Sequence, residues 1–217
     1  MSILFAVHIS DNVLQTYAWV AGFCLFAPIL ANAMFRVQED EIPRIALLTA
    51  AFFVASSIHV RIGPTSVHLL LNGLVGVVLG RRAPLSIIVG LSLQALLLGH
   101  GAFTTLGVNA LVLTIPALIG CALFALIARP NSRRRIFVGG ILTGSFTVML
   151  TAILNAAVLI GFGVEDWTVI AGTVTIAHLA VAAIEGAVLG TIATYLARVK
   201  PELLRLKKRG HAPSMFR

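Results

Sequence analysis

Residues 42–80 read IPRIALLTAAFFVASSIHVRIGPTSVHLLLNGLVGVVLG. Two apolar runs, 43–58 and 66–80, flank a short elbow in which Gly63-Pro64 follows the charge of Arg61. The runs are continuous rather than alternating, which suits helices in lipid and excludes the strands of an outer-membrane barrel. Five more such runs lie outward of this stretch: 13–35 before it, then 84–99, 107–128, 136–162 and 168–197 after it. Composition agrees. Hydrophobic residues make up 59% of the 217 and charged residues 11%, where a soluble domain has about 45–50% and about 25%. The mean hydropathy is +1.00. A straight crossing needs about 20 residues, so 43–58, 66–80 and 84–99 are short. Short runs suit a compact bundle with irregular backbone near one surface. The predicted fold is an all-α integral membrane protein, one domain of about seven transmembrane helices.

The connectors set an orientation. Counting alternate loops places 15 of the 16 basic residues on one side, Arg61 alone being on the other. By the positive-inside rule the basic side is cytoplasmic, so the N-terminus is outside and the C-terminus inside. That places the chain in the cytoplasmic membrane of a bacterium as a multi-pass protein. The net charge of +8 is then explained by topology, and no nucleic-acid partner is expected. The tail from Arg198 to Arg217 suits contact with anionic lipid. Met1 to Ala6 lacks the charge and cleavage site of a signal peptide. Cys24 and Cys121 lie inside apolar runs and give neither a disulfide framework nor a CxxC site.

On this map His8, His59, His68 and His100 all fall at or near the outer face, while His178 lies inside the last run and His211 in the tail. Imidazole suits nickel, copper, zinc and cobalt, so four on one face of an apolar protein point to a transition metal. Interfacial histidines bonded to backbone are the plainer reading. Two outer loops are built alike: Ile62-Gly63-Pro64-Thr65-Ser66-Val67-His68-Leu69 with Asn72-Gly73 beyond, and Gln94 to Gly101 with Asn109 beyond. Asn72, Gln94 and Asn109 are costly in apolar runs unless they face a cavity or each other. They serve either to support a ligand or as interhelical hydrogen bonds. Small residues four apart, Ala46 with Ala50 and Ala51 with Ala55, make a smooth helix face for a partner helix or for packing within the bundle. No GxxxxGK[ST], GxSxG or HExxH occurs, which argues against ATP hydrolysis by this chain and against an intramembrane enzyme. A stand-alone secondary carrier or a metal-sensing membrane protein is the alternative to an importer subunit. It would rest on His178 and Glu185, seven apart in the last run.

The stretch quoted above, with LLLGHGAFTTLGVNAL (96–111), HISDNVL (8–14) and IEGAVLGTIATYLARVKPELL (184–204), resembles the substrate-capture component of cobalt/nickel energy-coupling-factor transporters, the CbiM/NikM family. The resemblance covers most of the chain in order. It implies seven helices, an outer N-terminal metal loop (here 1–12), a bundle over 13–197 and a cytoplasmic tail over 198–217. It implies no cofactor, Ni2+ or Co2+ as substrate, and as partners a membrane coupling subunit and two cytoplasmic ATPases, with room for a small accessory membrane subunit. Family members hold the ion with a terminal amine, the amide and ring of a second-position histidine, and a loop histidine. The matching residues are His8 and His68, with Val7 supplying the amine only if it is the true N-terminus. Six residues precede Val7, so the resemblance departs there. A start at codon 7, proteolytic trimming, or a site rebuilt from His8, His68 and His59 or His100 would each reconcile the two. Asp11, Ser66, Asn72, Gln94, His100 and Asn109 are the candidates to support the ligands, and Asp11 reads equally as an ordinary surface aspartate.

Overall fold

The computed structural model describes residues 8–62, 65–130 and 132–204, and the side chains of 59–62, 65 and 66 are not among those described. Seven α-helices fall on the seven apolar runs: α1 (Thr16–Met34), α2 (Ile42–Ser57), α3 (Asn72–Leu79), α4 (Ala83–Leu93), α5 (Leu106–Ile127), α6 (Arg133–Phe162) and α7 (Thr168–Val199). Five stretches are long and apolar enough to cross a membrane: Thr16–Met34, Asn72–Leu98, Leu106–Ile127, Arg133–Phe162 and Thr168–Val199. At 16 residues, α2 is shorter than a full crossing.

Asn72–Leu98 is not one rod. Gly80 adopts φ 53° and ψ −123°, a conformation costly for other residues, and separates α3 from α4. Side-chain pairing shows how the two halves run. Thr49 donates to Ser86 at 3.1 Å, Gln94 donates to Ser56 at 2.5 Å, and between them Phe52 fills the space a Cβ on Gly90 would need. Residue numbers rise together along α2 and α4, so these helices are parallel and α3 returns between them.

The expected third run, 66–80, is helical only from Asn72. Its start is instead β2 (Thr65–His68), antiparallel to β1 (His59–Ile62), with His59 opposite His68. Val60, Ile62, Thr65 and Val67 are β-branched and flank Gly63-Pro64, a pattern that favours an extended hairpin.

At the turn between α3 and α4, Arg82 is 1% exposed. Its guanidinium donates to the carbonyls of Ala33 (2.6 Å), Phe35 (2.9 Å) and Arg36 (2.6 Å), and to Glu41 Oε2 at 2.7 and 3.0 Å. It therefore closes the end of α1, whose last carbonyls lack helical partners. Arg82 bonding, with a backbone bond from Gln38, holds the Glu41 carboxyl down to about 2.

Helices α6 and α7 touch backbone to backbone. A Cβ on Gly140 would fall 2.5 Å from the Gly190 Cα, and one on Gly144 would fall 2.7 Å from the Glu185 carbonyl oxygen. Ser145 donates to the Ala182 carbonyl at 2.9 Å beside this contact. Small residues permit such approach where lipid offers no hydrophobic drive. Phe52, Leu70, Leu79, Ile87, Leu113, Phe124 and Leu189 fill the main core. A smaller cluster of Ile9, Leu14, Val108, Val112, Leu159 and Trp167 lies under the N-terminal segment. That segment is also pinned by backbone: Gln15 N–H to Phe162 O at 3.0 Å and Val164 N–H to Val13 O at 2.9 Å.

Candidate metal centre

The N-terminal segment, the β1–β2 hairpin and the 99–105 loop meet at the end of the bundle opposite Arg82. There the rings of His8 and His68 lie with centroids 5.0 Å apart and planes inclined by 31°. Both residues are buried, at 4% and 3% exposure. With metal–nitrogen bonds of about 2 Å, this spacing suits two rings sharing one ion.

His68 is oriented by its own turn. Its Nδ1 lies 3.0 Å from the Leu69 carbonyl oxygen. A carbonyl only accepts, so Nδ1 carries the proton and the ring's lone pair is on Nε2, the form of imidazole that binds metals. His8 is positioned through its neighbour. Ile9 donates its N–H to Asn109 Oδ1 at 3.0 Å, and Asn109 Nδ2 donates to the Ile9 carbonyl at 2.9 Å. Thr105, one turn before Asn109, donates to the same carbonyl at 2.6 Å. Gly101, at φ 74°, lies close enough that a Cβ there would stand 3.4 Å from His8 Cβ.

The remaining sequence candidates divide. Asp11 is exposed and accepts from the Thr104 hydroxyl, tying the N-terminal segment to the 99–105 loop. His100 is half-buried and its N–H donates to the Gln94 carbonyl at 3.2 Å, closing a wide π-helical turn over Gln94–Leu98. The Gln94 side chain goes to Ser56 of α2, and Asn72 donates to Thr151 (2.8 Å) and to the Leu113 carbonyl (3.3 Å). These two carry interhelical bonds. Val7 lies outside the described residues, as do the side chains of Ser66 and His59. His178 is fully buried in α7, its Nδ1 2.6 Å from the Val174 carbonyl. On α2, Ala46 and Ala50 are exposed beside Leu47 and Val54, Ala51 and Ala55 are half-buried, and Thr49, Phe52 and Ser56 face inward.

Thr105 and Arg82 were not singled out as structural residues by the sequence. The spacing of Thr105 four residues before Asn109 was the available signal for one. For the other there was none, because a loop arginine reads as a topology charge.

Comparison with known proteins matches this architecture. The family model for the cobalt uptake substrate-specific transmembrane region, CbiM, aligns with residues 8–203. A protein of Haemophilus influenzae named as a metal transport protein is 32% identical over 200 residues, covering 91% of this chain and 97% of that one. A fused nickel transport protein, NikMN, of Archaeoglobus fulgidus is 24% identical over 206 residues, covering 93% of this chain and 69% of that one. A crystal structure of a transition metal transporter superposes with a TM-score of 0.78 at 20% identity, covering 88% of this chain and 93% of that one, and so shares the fold. The chain belongs to the CbiM family, the membrane components of cobalt and nickel transport.

Proposed function

We propose that this chain captures Ni2+ or Co2+ at the outer face of a cytoplasmic membrane and is the substrate-specific subunit of an ATP-driven importer. The observation that carries this reading is the buried His8–His68 pair, with ring centroids 5.0 Å apart, at the end of the bundle opposite Arg82. His68 offers Nε2. His8 offers its ring and its backbone nitrogen, and its chain is held by the Asn109 clamp on Ile9. The amine of residue 7 completes a planar nitrogen set if the mature chain begins there, and such a set favours nickel. Support for the orientation, and for seven crossings, comes from the basic connectors: Arg36, Arg81, Arg82, Arg129, Arg133 and Arg198 all belong to one end.

The chain has no phosphate-binding loop, so the energy comes from partner ATPases through a coupling subunit. The exposed Ala46–Ala50 face of α2, with Ala51 and Ala55 beside it, is the surface offered to that subunit. The Archaeoglobus fulgidus relative, a fused nickel transport protein of which this chain covers 69%, supports such a partnership. The direct test is nickel uptake by cells carrying this chain with its coupling and ATPase subunits, alongside the intact mass of the purified chain. Uptake lost on replacing His8 or His68, and lost again when the ATPases are inactive, supports the reading. Uptake unchanged in both cases overturns it.

A further inference from the structure

The bundle interior holds a carboxylate that no metal ligand contacts directly. Glu185 lies in the middle of α7 and is 2% exposed. An uncompensated carboxylate there is strongly disfavoured, so its partners matter. Its Oε1 accepts two backbone N–H groups from a segment more than 110 residues away in sequence, those of Leu70 and, at 2.8 Å, Leu71. Leu71 adopts φ 48° and ψ 10°, the left-handed conformation that is unfavourable for a non-glycine residue and persists only when surroundings impose it. Leu70 and Leu71 connect β2 to α3, and His68 ends β2.

The bond to Leu70 has a particular consequence. The Leu70 N–H and the Leu69 carbonyl belong to one peptide group. Glu185 accepts from its N–H, and His68 Nδ1 donates to its carbonyl at 3.0 Å. A carboxylate, one rigid peptide plane and the imidazole thus form a continuous chain of hydrogen bonds ending at His68 Nε2. Carboxylate–histidine–metal arrangements use the same logic to fix ring orientation and tautomer, and bonds in such chains reinforce each other. Resting on the reading of His68 as an ion ligand, we propose that Glu185 is a positioning residue for that ligand, acting through the Leu69–Leu70 peptide. Helix α7 thereby sets ion affinity from the bundle interior. Its backbone is fixed at this level by the close contact with Gly144.

Reach, rather than burial alone, is what this role needs. Glu185→Gln keeps an oxygen at the same distance from both N–H groups. Glu185→Asp keeps the carboxylate and retracts it by one methylene. Nickel titrations of the purified full chain in detergent, with and without His68→Ala, test the proposal. E185Q is expected within about threefold of wild type and E185D at least about tenfold weaker, the range for residues that support a metal ligand. The nickel absorption spectrum is expected to change in E185D and not in E185Q. In the H68A background E185D is expected to have no further effect. Wild-type affinity in E185D, or an equal loss in the H68A background, overturns the proposal while the site stands. Wild-type affinity in H68A alone overturns the site reading itself.

Discussion

Asn109 holds Ile9 from both sides, accepting its N–H at 3.0 Å and donating to its carbonyl at 2.9 Å. A primary amide carries an acceptor and a donor side by side and so matches the two edges of a backbone residue. This clamp fixes the chain direction immediately after His8.

Asn109→Asp accepts the N–H but faces the Ile9 carbonyl with an acceptor. Nickel affinity is expected to fall about 10–100-fold, as for other residues that support metal ligands. Asn109→Leu leaves both Ile9 groups without Asn109 and is expected to weaken binding at least as far. Titration of each variant checks this; wild-type affinity in both would remove the clamp from the site.

Arg82→Met removes a buried guanidinium that serves three carbonyls and Glu41. Leaving the buried Ala33 carbonyl without this donor costs about 1–3 kcal/mol, and the other carbonyl bonds are lost with it. The variant is expected to melt well below wild type in detergent. Arg81→Met, whose bond to Phe35 O is exposed at 3.3 Å, is expected to change melting little.

Glu41 gives that junction a pH dependence. Its folded-state value of about 2 lies below the ordinary 4.5. A depressed carboxyl stabilises the fold above its unfolded value, and the contribution is lost as pH falls from about 4.5 through about 2. The melting difference between wild type and Glu41→Gln is expected to be full at pH 7 and to vanish near pH 2. A difference constant over that window would contradict the assignment.

The α6–α7 contact predicts a steric effect. Gly140→Leu places a side chain where the Gly190 backbone lies. Overpacking costs about 1–3 kcal/mol or more, so thermal stability is expected to fall. Gly161→Ala, in open space, serves as the control and is expected not to lower it, alanine being the better helix former.

Much of this was legible in the sequence because lipid makes helices declare themselves. The runs 107–128 and 168–197 match α5 and α7 to within about two residues at each end, since the run of apolar residues there has no competing pattern. The run 66–80 was misleading at its start because the few residues from Ser66 to Leu71 are too short a stretch for periodicity to separate a strand from a helix. His8 and His68 stood out as imidazoles on one face. The division among Asn72, Gln94 and Asn109 was not legible. All three are amides in apolar surroundings, and only the packing decides that Asn109 meets Ile9 while Gln94 meets Ser56. Glu185 was noted as an ionisable residue of the last run, but its bond to a turn more than a hundred residues earlier has no local signature.

The most direct test of the central claim is nickel titration of the purified full chain, with its N-terminus established by intact mass, against His8→Ala and His68→Ala. The account predicts one ion per chain, with affinity reduced at least about 100-fold in either variant. Tight binding that survives both substitutions would contradict it.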